Sequence, residues 1–328
     1  MLHNAHVSTR TTRTRPKRWQ LAILVIAIAG LTGFGAVRAN VLGAGDRLER
    51  LVARVELFLD PPPDRPTLPT VVVTPRPTAS PTPAPTPRPV AAAPSQRTTP
   101  VPATPTPAPI RTAVKVEIVE DQAAVFTSQL TEKDCAVAAT QMVLTILGLG
   151  NPSKEFQQEI KDRIDEWQTL DDSHNGGWGP AAVGEALAAY GAPGYEVRAY
   201  ASHIDAMRDS AIALSTTGKP VVLFPWWGAH SWVMTGYEAD ADPTIFPDAT
   251  VSGLYILDPW FPRTSSIWGK SDPPGNLETL AEMQRNWPYG TTNDGWSRPG
   301  GVYEQRDGMY VVLLPTTPIA SGEAGSGS

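Results

Sequence analysis

Residues 128–150 read SQLTEKDCAVAATQMVLTILGLG. Beyond Asp134 the apolar residues Ala139, Met142, Val143, Ile146 and Leu147 recur at helical spacing. Gly148 and Gly150 mark the stop, so the stretch predicts a helix with a buried face. Thr131 and Asp134 resemble a capping box with Asp in place of the usual Glu. Cys135 then falls in the first helical turn, where unpaired backbone N–H groups and the helix field favour a thiolate. A cysteine that simply packs beneath its helix is the alternative at this point. Cys135 is the one cysteine of 328 residues. That excludes an internal disulfide framework and any multi-cysteine zinc site.

Working outward, a base is found in VVLFPWWGAHSWVMTGY, residues 221–237, where apolar runs flank a short turn-like piece ending at His230. The run GLYIL ends at Asp258, and Pro259 follows, which places the carboxylate at a strand terminus rather than inside a sheet. A thiol at a helix start, a His opening one strand and an Asp closing another are the parts of a Cys-His-Asp device. The His takes the thiol proton, and the carboxylate sets its tautomer and supports the imidazolium.

These segments together resemble the C39-like branch of the papain-like cysteine peptidases. DCAVAATQMVL is similar to that family's nucleophile helix, HSWVMTGYE to its His strand and YILDPW to its Asp strand. GKPVVLF and GGWGPAAVGEALAAYG extend the likeness, which covers residues 124–262. Gln129 stands six positions before Cys135, as the family's oxyanion-hole glutamine does. The family commonly has Gly-Pro directly after the nucleophile, whereas this chain has Ala136-Val137.

The resemblance implies an α+β, papain-like fold, with an N-terminal helical part carrying the Cys packed on an antiparallel sheet carrying His and Asp. It implies a cysteine peptidase that cuts peptide bonds through an acyl-enzyme, with Cys135, His230, Asp258 and Gln129 as its catalytic residues. The alternatives are a catalytically inactive surface binding module of the same fold, or a transpeptidase or amidase acting on cell-wall peptides. Trp226, Trp227, His174, Trp178 and Trp260 are candidate walls of the substrate cleft. No metal and no cofactor is expected, because no familiar ligand spacing joins His174, His203 and His230.

The flanks suggest where such a domain works. Residues 1–20 are basic, and an apolar run from Leu21 to Val37 follows. Seventeen residues make about 25 Å of helix, and continuation to Leu42 would suffice to cross a bilayer. Residues 21–42 are therefore expected to be a transmembrane anchor, or else a cleaved signal peptide. Either reading puts the rest of the chain outside the cytoplasm. Residues 46–60 carry an amphipathic pattern through Leu48, Leu51, Val52, Val55, Phe58 and Leu59.

From Pro61 to Pro109 there are 18 prolines. Residues 61–111 thus predict an extended, disordered stalk with an upper reach of about 150 Å. The folded domain is expected over residues 112–316, with a disordered tail over 317–328. The net charge of −6, with no basic stretch in the C-terminal half, excludes a nucleic-acid partner. The expected partners are a peptide or protein substrate, the membrane and cell-wall material. Strands are predicted at Val114–Val119 and Met309–Leu314, and helices over 153–167, 180–190, 202–216 and 276–285.

Overall fold

The computed structural model describes residues 62–74, 109–169, 171, 172, 178–288 and 304–318, together with Leu48, Leu51, Val52, Val55 and Leu59. The chain divides into two compact units, Met1–Glu56 and Leu57–Ser328. In the first unit Leu48, Leu51, Val52 and Val55 are helical and exposed, at the spacing of one helix face. The basic tail, the apolar run 21–42, His174, residues 75–108 and residues 319–328 lie outside the described residues. Among the described residues no helix is long and apolar enough to cross a membrane.

The second unit is built on a sheet of β1 (Thr70–Val73), β2 (Val114–Glu117), β3 (Tyr195–Tyr200), β4 (Val221–Leu223), β5 (Trp232–Ala239), β6 (Val251–Leu257), β9 (Asn276–Thr279) and β10 (Tyr310–Pro315). β7 (Thr264–Ser265) and β8 (Gly269–Lys270) form a separate small hairpin. The sheet order is β1-β3-β10-β4-β5-β6-β9, and β2 pairs with the far half of β5, beyond β4. Every pairing in it is antiparallel except that of β1 with β3.

Alternation along the strands explains why both faces are covered. Val197, Val222, Val233, Val311 and Leu313 belong to one apolar cluster, and Val221, Leu223, Met234, Val312 and Leu314 to the other. Helices α2 (Cys135–Ile146) and α4 (Pro180–Ala189) fill the first face, and α3 (Lys154–Asp162) packs beside them through Ile160. Helices α5 (His203–Thr217) and α6 (Leu280–Asn286) cover the second. A short helix α1 (Gln122–Val125), capped by Asp121, precedes the nucleophile segment. The mixture of helices and sheet is compatible with the C39-like peptidase fold implied above.

Local chemistry accounts for most helix limits. Ser153 caps α3 and Ser202 caps α5, each accepting a backbone N–H three residues on. Pro180 opens α4, where its missing N–H is no loss. Three boundaries differ from expectation. Helix α3 ends at Asp162, short of 167, with only a 3-10 turn over Ile164–Glu166 after it. Residues 276–279 are a strand, since Leu277 and Glu278 pair with β6, and the helix begins only after Thr279 and Glu282 form a full capping box. At α2 the cap is Asp134 itself, whose carboxylate accepts from the Thr131 N–H and pairs with Lys161 instead of capping the helix.

The expected boundary between stalk and domain is corrected by the structure. Residues 62–74 lie on the folded unit, and β1 runs parallel to β3 at the sheet edge. Leu68 packs into the first cluster against Gly184, and Thr67 donates to Glu185. Thr70 Oγ1 accepts from Arg306 Nε at 3.0 Å, and Arg306 forms a 2.7 Å ion pair with Asp172, both side chains being almost wholly buried. The other edge of this network is the N-terminus of α4, where Ala181 and Ala182 donate to the Asp172 carboxylate. The strands on either side of residues 75–108, β1 and β2, thus belong to the same sheet. Proline density reports a lack of helical and strand period, but the short run TVVV is apolar and β-branched and finds a strand to pair with.

Candidate active site

α2 is buried almost all round, from Cys135 to Leu144, so its first residue is held from every side. Thr140 returns its hydroxyl to the Ala136 carbonyl, and Gln141 binds the carbonyls of Asn151 and Ser153. Gln157 then bridges Gln141 to the segment before the helix, donating to Ser128 O and accepting from Leu130 N. This buried amide network sets Gln129 in place. Its backbone N–H also donates to Pro259 O at 2.9 Å, and its carbonyl accepts from Arg263. Gln129 is thus tied to the loop that follows Asp258.

The antiparallel register Val233↔Leu257 places the entry of β5 beside the exit of β6. His230 lies just before β5 and Asp258 just after β6, and they meet, with Nε2 2.6 Å from Oδ1. The same Oδ1 accepts the Trp260 backbone N–H at 2.8 Å, which fixes the carboxylate. Both side chains are buried, at 2% and 3% exposure. With Nε2 committed to Asp258, Nδ1 is the ring nitrogen left for another partner, and the nearby Cys135 side chain acts on the charge of the imidazole. The Cys135 sulfur also lies 3.9 Å from the Ala229 carbonyl oxygen.

Burial alone would drive the His230 imidazole toward neutrality, but the charge of Asp258, its hydrogen bond and the contact with Cys135 outweigh it and push the pKa up to about 9. The folded value exceeds the ordinary one near 6.5, so the contribution of this group to stability is complete below 6.5 and is lost as pH rises through about 9. Asp258→Asn removes the main opposing influence. His230 in that variant is expected to titrate below 6.5, read from its ring-proton shifts in an NMR pH series. A midpoint still near 9 would mean that another group holds the proton.

The turn before His230 is unusual. Trp226, Trp227 and Gly228 all have positive φ, of 57°, 60° and 80°. Such a conformation costs of order 1–3 kcal/mol at each bulky residue and survives only where its surroundings impose it. Here Gly228 N and His230 N both donate to Pro225 O, and Trp226 N donates to Asn286 O at 2.7 Å. The Trp226 ring lies face to face with His230, with centroids 4.0 Å apart and planes 15° apart.

The sequence model of the Peptidase_C39 like family matches residues 122–291, slightly more than half of the chain. The chain belongs to that family. No curated protein matches the sequence. The matched region takes in Gln129, Cys135, His230 and Asp258, and membership supports reading the chain as a cysteine peptidase.

The remaining candidates sort by position. Trp226 and Trp260 stand against His230, Trp260 edge-on at 6.4 Å. Trp227 is 45% exposed and meets Trp268 of the β7–β8 hairpin at 4.9 Å. Trp178 is corrected from a cleft wall to a core residue, because it is 6% exposed and packs edge-to-face on Trp167 in the first cluster. His174 lies outside the described residues. Sequence reasoning missed Trp268 and Arg263. Arg263 lies over the Trp260 ring at 5.3 Å while binding the Gln129 and Leu130 carbonyls. Its position two turns of loop beyond Asp258 carries no sequence signal for that role.

Proposed function

We propose that the chain is a membrane-tethered, extracytoplasmic cysteine peptidase that hydrolyses peptide bonds through Cys135, His230 and Asp258. The observation that carries this reading is the buried His230–Asp258 pair beside the one cysteine, which holds the first position of a helix and whose sulfur lies 3.9 Å from the carbonyl of Ala229, next to His230. His230 Nδ1 takes the thiol proton, and the thiolate attacks the substrate carbonyl carbon. The oxyanion accepts from the Cys135 backbone N–H, which has no partner within the helix, and from the Gln129 side-chain amide. One Gln129 Nε2 hydrogen already goes to Thr131 O at 2.8 Å, which orients the amide and leaves its second hydrogen for the oxyanion.

The C–N bond then breaks, and the imidazolium hands its proton to the departing amine. Water attacks the thioester with His230 as base, releasing the acid and restoring the thiol. The tether rests on the basic tail and the apolar run 21–42, and extracytoplasmic placement rests on the cluster Arg10–Arg18 ahead of that run, whether it is kept as an anchor or cleaved. The short residues Ala136 and Val137 are both buried within α2, so they shape the helix interior rather than the cleft.

The test is incubation of the detergent-solubilised full chain with a random peptide library, with products read by mass spectrometry. Cleavage is expected with the native chain and not with Cys135→Ala. Gln129→Ala is expected to lower turnover about 100-fold or more while leaving the thiol reactive, the range for an oxyanion donor. Cleavage that persists in Cys135→Ala would overturn the reading.

A further inference from the structure

We propose that Trp226 is a positioning residue that holds the charged form of the His230 ring by lying face to face with it. The proposal rests on His230 being the proton carrier of the site. An indole face is electron-rich and attracts a cation laid against it, more strongly when water is excluded. His230 is 2% exposed and its ring is 4.0 Å from the Trp226 ring, with planes 15° apart, so the contact is a desolvated stack rather than a passing edge contact.

Three further observations separate this role from that of a cleft wall. Trp226 is half-buried and flanked by aromatic rings. Trp268 lies parallel to it at 5.9 Å, and Trp232 and Trp260 meet it at right angles at 6.3 Å. Its neighbour Trp227 is the indole that turns outward, at 45% exposure. The backbone, finally, is held in the left-handed region at φ 57°, a conformation a packing residue does not need. That conformation presents the ring to a histidine only four residues further on, and the hydrogen bond from Trp226 N to Asn286 O pins the turn to the end of α6.

The titratable groups that face His230 are Cys135 at the start of α2 and Asp258 after β6. Arg263 stands behind Trp260, over its ring. Asp258 supplies charge along the Nε2 direction, whereas Trp226 acts on the face of the ring and also prevents it from rotating away from sulfur. The two contributions are physically separate and can be removed one at a time.

The test uses the full chain in detergent with three variants. Trp226→Leu removes the ring and keeps bulk. Trp226→Gly removes the ring and suits the positive φ, so it folds where leucine is strained. Trp226→Phe keeps a weaker aromatic face. The readouts are the His230 ring-proton titration and the pH profile of Cys135 alkylation by iodoacetamide, neither of which needs a peptide substrate. In the Leu and Gly variants the His230 midpoint is expected to fall by roughly one pH unit, the size of a desolvated cation–π contact. The upper limb of the alkylation profile should move with it, and Phe should recover at least half of the shift. A role confined to packing, or to a substrate subsite, would leave the His230 midpoint unmoved or, by admitting water to the ring, raise it in Leu and Gly. That result would overturn the proposal even if peptide cleavage were impaired. Failure of the native chain to cleave peptides would instead count against the proposed hydrolysis and leave these titrations interpretable.

Discussion

His230→Ala is expected to slow alkylation of Cys135 at pH 6 by about 10-fold. An ordinary thiol with a pKa near 8.5 is only about 0.3% ionised at that pH, roughly a 300-fold deficit against a fully formed thiolate–imidazolium pair. A thiolate freed from such a pair is intrinsically more nucleophilic, and with a Brønsted slope of about 0.4–0.5 over about 3.5 pH units this recovers roughly a factor of 30. The remainder is the expected effect. Under the proposed mechanism it arises because Asp258 holds the buried His230 imidazole, whose pKa of about 9 keeps it charged through neutral pH. Rates of iodoacetamide labelling across pH 5–10 measure it directly. A change at pH 6 of less than threefold would mean that His230 does not serve Cys135, and the proposed mechanism would fall with it.

The second large effect concerns stability. A chain beginning at Thr112, where the folded domain would be placed from composition, is expected to unfold about 10 °C or more below one beginning at Asp60. The shorter chain lacks β1 and Leu68, and it leaves the buried Arg306 without the Thr70 hydroxyl. Asp172→Ala in the full chain removes the ion-pair partner of the same charge by a single change. Removing one partner of a buried ion pair costs about 3–5 kcal/mol. In a domain of this size each kcal/mol lowers the midpoint by about 2–4 °C. Asp172 also accepts from Ala181 and Ala182 at the start of α4, and Gly179 packs against its carboxylate with no room for a Cβ, so relaxation there is limited. Thermal unfolding followed by circular dichroism decides the matter. Coincident midpoints for the two chain lengths would show that β1 is dispensable.

The contrast between these two experiments reflects what was legible. The nucleophile helix could be read because apolar spacing and terminal glycines are local signals, and the Ser caps of α3 and α5 could be read for the same reason. His230 and Asp258 could be named because each sits at the end of an apolar run, just outside the regular strand. Trp178 could not be placed, because an indole in a glycine-rich entry looks the same whether it faces a cleft or, as here, Trp167. The docking of β1 was hidden by the prolines around it. A four-residue strand becomes visible only when its partner, more than a hundred residues away, is in register.

By itself, the sequence determined that one thiol stands at a helix start with a glutamine before it, a histidine and an aspartate at strand ends after it, and an apolar run ahead of everything. Those are properties of short segments and of covalent order. Only the tertiary structure decided that Nε2 meets Oδ1 at 2.6 Å, that Trp226 lies on the imidazole, and that residues 62–74 belong to the domain. Each of these depends on strand register and on packing between distant segments. A period of two or 3.6 residues marks which face is buried and is silent on which neighbour buries it.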